Sequence, residues 1–107
     1  MPVAQFGRLL HTLIDGRVDF IIIGGVAAAI HGSARSTLDM DVVYRRSDEN
    51  ITRLAAALGP LAPYLRGAPP GLPFRWTPET IKAGLNFTLT TTLGWIDLLG
   101  EVTGGGR

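Results

Sequence analysis

Val3, Phe6, Leu10, Leu13 and Ile14 recur at spacings of three and four, which predicts an amphipathic helix over residues 3–14. Asp15-Gly16 ends it. Val18 to Ile23 is a β-branched run without helical period, bounded by glycines, and reads as a buried strand. Gly24-Gly25 closes that strand, and Val26 to Ile30 begins a short helix that His31-Gly32-Ser33 ends. Leu38 to Tyr44 forms a second strand. Ser47 or Asp48 can cap a helix from Glu49 to Leu58, with Ile51, Leu54, Ala55 and Leu58 on one face. Residues 59–73 hold five Pro and three Gly and read as a loop with a short turn at Leu61 to Leu65. A further turn is expected at Pro78-Glu79-Thr80-Ile81.

The period then becomes two. Leu85, Phe87, Leu89 and Thr91 alternate with Asn86, Thr88 and Thr90, as in a half-exposed antiparallel strand. Thr92-Leu93-Gly94 turns the chain, and Trp95 to Leu99 returns beside it. The order helix–strand–helix–strand–helix–loop–strand–strand predicts an α/β (α+β) fold. Its mixed β-sheet would carry helices packed mainly on one face.

Composition narrows the class. With 107 residues, 46% hydrophobic and 18% charged, the chain suits one packed domain over residues 1–103, followed by a flexible Gly-rich tail at 104–107. A net charge of +1 gives no broad electrostatic footprint for nucleic acid or a membrane surface. The absence of cysteine excludes disulfides and thiolate metal sites. The longest apolar stretch, Phe20 to Ile30, falls short of the roughly 20 residues that span a bilayer. The first residues lack the basic and apolar regions of a signal peptide. A cytoplasmic location without membrane contact is therefore expected.

Three features carry chemistry. A strand entering Gly24-Gly25 and then a helix lets backbone approach a ligand closely and can present N–H groups to phosphate; the same corner also serves as a plain tight turn. Asp39 and Asp41 share one face of a strand, about 7 Å apart, while Met40 and Val42 face the core. The two carboxylates suit a Mg²⁺ ion that completes its shell with water and phosphate oxygens; otherwise one caps the strand end and the other is solvated. Asp97 sits within the apolar run Trp95-Ile96-Asp97-Leu98-Leu99, where a carboxylate is costly unless paired or metal-bound. If its strand lies beside the Asp39/Asp41 strand, three carboxylates converge; the alternative is a salt bridge to an arginine. Other chemistries lack support. There is no Gly-Lys-Ser/Thr, Lys82 is the only lysine, and no third glycine follows Gly24-Gly25 until Gly32. His11 reads as a rim residue and His31 as a helix-end cation.

The run from Ile22 to Val43 resembles the nucleotidyltransferase superfamily of the DNA polymerase β type, most of all its small prokaryotic members. Their signature is a Gly-Gly or Gly-Ser corner, a helix, then Arg-x-Thr-x-Asp-x-Asp on the next strand. Gly24, Gly25, Arg35, Thr37, Asp39 and Asp41 stand in those places. A third carboxylate on a later strand completes the family's site, and Asp97 fits it. The likeness is close over residues 18–44 and looser over 85–101.

The resemblance implies transfer of a nucleoside monophosphate from an NTP, with ATP the first choice, to an acceptor hydroxyl with release of pyrophosphate. Asp39, Asp41 and Asp97 would be catalytic and hold Mg²⁺, as two ions. Gly24, Gly25, Arg35 and Thr37 would bind nucleotide, although Arg35 could instead pair with Asp39 or Asp41. The acceptor could be a small molecule, a tRNA end or a protein hydroxyl. Family members usually continue into further helices, so the resemblance leaves three readings of the chain: a C-terminally truncated product, a fragment, or a minimal form that borrows surface from a second copy or a partner protein. Leu61, Leu65, Leu72, Phe74 and Trp76, in Pro/Gly-rich chain, fit a covered surface. The alternative function is a non-catalytic nucleotide-binding or toxin–antitoxin-type interaction module.

Overall fold

The computed structural model describes residues 3–24 and 40–101. Helix α1 spans Val3–Asp15, strand β1 Phe20–Gly24 and strand β2 Met40–Tyr44. Helix α2 follows at Asp48–Leu58, a 3₁₀ turn at Gly59–Leu61 and a two-residue strand β3 at Tyr64–Leu65. Helix α3 occupies Pro78–Ala83, strand β4 Phe87–Thr91 and strand β5 Gly94–Gly100. The five strands form one mixed sheet in the order β1-β2-β5-β4-β3. Only β2 and β5 run parallel; the other pairs are antiparallel. The fold is thus α+β, as the periodicities predict. Contrary to the expectation from sequence, the helices are not clearly packed on one face of the sheet; α1 and α3 both pack against α2. Among the described residues no helix is long and apolar enough to cross a membrane.

Local sequence accounts for most boundaries. Ser47 caps α2, its hydroxyl accepting from the Asn50 backbone N–H at 3.2 Å, with Asp48 and Glu49 in the first turn where the helix dipole favours acids. Thr77 caps α3 in the same way and Pro78 occupies its first position, so the expected turn extends into a six-residue helix. The predicted Thr92–Gly94 turn is present. Gly94 adopts φ 125°, a conformation that favours glycine, and the Thr91 hydroxyl donates to the Gly94 carbonyl at 2.7 Å.

Some expectations shift. The buried face of α1 is Phe6, Leu9 and Leu13, while Ile14 is exposed, so the helix is rotated from the predicted stripe. Strand β4 begins at Phe87, leaving Leu85 largely exposed. The Pro/Gly-rich segment is more ordered by contacts than its composition suggests. Tyr64 packs edge-on against Phe74, Phe74 tilts onto Trp76, and Trp76 packs edge-on against Phe87. The Tyr64 hydroxyl also bonds the Pro69 carbonyl and accepts from the Leu72 N–H. Leu61, Leu65, Phe74 and Trp76 therefore pack against the core, and only Leu72 of the five is largely exposed. The Gly24-Gly25 corner beyond Gly24, the expected helix at 26–30 and the tail at 104–107 lie outside the described residues.

The core forms where Met40, Val42 and Tyr44 of β2, Ile96 and Leu98 of β5, and Phe87 and Leu89 of β4 meet the apolar faces of the helices. Two buried polar devices fix the strands against this core. Asn50, 1% exposed on α2, accepts from the Asp19 N–H at 2.6 Å and donates to the carbonyls of Asp19 and Arg45 at 3.0 and 2.8 Å. It ties the entry of β1 to the exit of β2. The Tyr44 hydroxyl donates to the Leu85 carbonyl at 2.7 Å and accepts from Arg46, which also donates to Ile81 and Lys82 carbonyls at the end of α3. Burial raises the Tyr44 phenol above its ordinary value of 10.0, a shift partly countered by the adjacent Arg46 guanidinium.

Two outcomes follow. Asn50→Ala should lower unfolding free energy by about 2 kcal/mol, since it strands buried backbone groups; an unchanged urea midpoint would refute the tie. The phenol proton is bound more tightly folded than unfolded, so the stability it contributes is complete below pH 10 and declines as pH rises through the folded value. Wild type should therefore lose stability above about pH 10 more steeply than Tyr44→Phe in pH-resolved thermal melts.

Candidate functional site

Alternation along β2 buries Met40, Val42 and Tyr44 and turns Asp41 and Val43 to the opposite face. Along β5 it buries Ile96 and Leu98 and turns Trp95, Asp97 and Leu99 the same way. Parallel pairing in the register Met40↔Ile96 then sets Asp41 directly beside Asp97. Side chains in such positions stand about 5 Å apart at Cβ. The same cross-strand row continues to Gly24 on β1, opposite Asp41, and to Thr88 on β4, opposite Asp97. The β1–β2 register shifts between Ile22 and Gly24, and this irregularity brings Gly24 opposite Asp41. Gly25, Arg35, Thr37, Asp39 and His31 lie outside the described residues. Of the predicted site residues, Gly24, Asp41 and Asp97 are thus brought into one row.

Asp97 has a partner that the sequence reading did not name. The Arg66 guanidinium donates to Asp97 Oδ1 at 2.8 Å, with the two side chains 17% and 29% exposed. Both readings of Asp97 hold together: its strand lies beside β2, and it pairs with an arginine. Arg66 follows β3, and its backbone N–H donates to the Thr88 carbonyl at 2.9 Å, which aims the side chain across β4 toward β5. The same terminal nitrogen lies 3.0 Å from the Leu89 carbonyl and 3.4 Å from that of Ile96. The guanidinium carbon stands 4.5 Å from the centroid of the Trp95 ring. Nε of Arg66 is buried without a hydrogen-bond partner among the described residues. The guanidinium is therefore held by a carboxylate, two carbonyls and an aromatic face.

One sequence signal could have pointed to Arg66: it is the only charged residue between Gly59 and Pro73. A cation isolated among Pro, Gly and apolar residues, just after a residue that can join a sheet edge, invites a search for its anion.

Chemically, Asp41 and Asp97 offer hard oxygen donors of the kind that bind Mg²⁺ through one or two carboxylates plus water and phosphate. Gly24 beside them adds no side chain to obstruct an approaching ligand. These are donor types that a divalent ion takes, while Asp97 shares one oxygen with Arg66 and Oδ1 of Asp41 is buried. Among the described residues no group of three or more His, Cys, Asp or Glu stands together, and Asp39 lies outside those residues. Among the described residues, surface depressions lie elsewhere. One is lined by Asp19, Phe20, Ile21, Val43, Arg45 and Glu101, another by Arg8, His11, Thr12 and the β4–β5 turn.

No family model, curated protein or solved structure matches the chain. Its functional reading therefore rests on the arrangement of its own residues.

Asp97→Asn would leave Arg66 partly buried without its anion. We expect a loss of about 1–2 kcal/mol in denaturant unfolding, only partly screened by 0.5 M salt. Unchanged stability would mean that the carbonyls and Trp95 hold Arg66 unaided.

Proposed function

We propose that the chain is a Mg²⁺-dependent nucleotidyltransferase that moves a nucleoside monophosphate from an NTP to an acceptor hydroxyl. The observation that carries this reading is the row Gly24–Asp41–Asp97, which gathers residues far apart in sequence into one short stretch of sheet. In phosphoryl transfer the protein contributes chiefly position and charge. Asp41 and Asp97, with Asp39 from the same motif, would hold the metal, which when bound neutralises phosphate charge and favours the deprotonated acceptor. The glycine corner would admit the triphosphate close to backbone, and Arg35 and Thr37 would contact it. The acceptor oxygen bonds to the α-phosphorus, the bond from that phosphorus to the bridging oxygen breaks, and pyrophosphate leaves. The acceptor proton passes to a carboxylate or to water. ATP is the first NTP to test. The acceptor is a small-molecule, tRNA or protein hydroxyl.

The Arg66–Asp97 pair favours a second reading, a module that binds nucleotide or a protein partner without turnover, since one carboxylate already has a counter-ion. Calorimetry separates these from a chance likeness. Mg²⁺–ATP should bind saturably to wild type and not to Asp39→Asn/Asp41→Asn. Pyrophosphate release with an acceptor then distinguishes transfer from binding alone. Failure of the folded wild type to bind ATP, GTP, CTP or UTP would remove the transfer reading and nucleotide binding with it, leaving only a module that binds a protein partner.

A further inference from the structure

We draw no further inference here: the strongest candidate, the outer edge of strand β1 at the margin of the sheet, where Ile21 and Ile23 are 66% and 55% exposed, is an apolar surface for which nothing in the structure shows what covers it.

Discussion

The parallel pairing of β2 with β5 places two carboxylates side by side because it first places apolar side chains beneath them. Met40, Val42, Ile96 and Leu98 share the buried side of that pair, and burying them is what favours the register. A strand has a side-chain period of two, so the residues between them must face the other way. A slip of one residue would turn Met40 and Val42 out of the core and Asp41 into it, at a cost the fold could not sustain. The carboxylate row is thus a consequence of the core.

The register is secured at the end of the sheet away from the carboxylates. Tyr44 lies opposite Gly100, and the Glu101 N–H donates to the Tyr44 carbonyl at 2.9 Å. Gly100 donates its own N–H to Asn86 Oδ1 at 3.0 Å. A Cβ at Gly100 would fall 2.3 Å from Leu85 Cδ1 and 2.9 Å from the Leu85 carbonyl oxygen, the same oxygen that accepts from the Tyr44 hydroxyl. This close approach leaves no room for a side chain. With Arg46 closing the end of α3, these contacts fix how β2 and β5 are aligned, and the alignment carries along the strands to Asp41 and Asp97. Polar groups at one end of the sheet therefore position charged groups nearer the other.

What could be read in the sequence follows the reach of each interaction. Helix and strand periods are local, so α1, α2, β2, β4 and β5 are legible, as is the turn that needs Gly94; β1 is legible as a strand but not as a buried one, since it lies at the sheet edge with Ile21 and Ile23 exposed. The inward direction of Met40 and Val42 came from alternation alone. The strand β3 was not legible, because two residues after a proline show no period; it exists because Tyr64 and Leu65 find Thr90 and Leu89 across the sheet. Likewise the role of Asn50 depends on Asp19, 31 residues away, and that of Arg66 on Asp97, also 31 residues away. The adjacency of Asp41 and Asp97 is only a condition in the sequence, since no local pattern says which strands become neighbours. The face of α1 is not fixed by its own residues, because Leu9 and Ile14 both fit a helical stripe and only the packed partner chooses between them.

The order of the strands also sets what flanks the two carboxylates. β1 ends at Gly24 and β2 begins at Met40, so the chain leaves and re-enters the sheet beside the Gly24–Asp41–Asp97 row. On the other flank the row is bounded by Thr88 and by Arg66 stacked on Trp95. Asp41 and Asp97 therefore lie between the facing ends of β1 and β2 on one side and, on the other, a guanidinium held by Asp97, two carbonyls and Trp95.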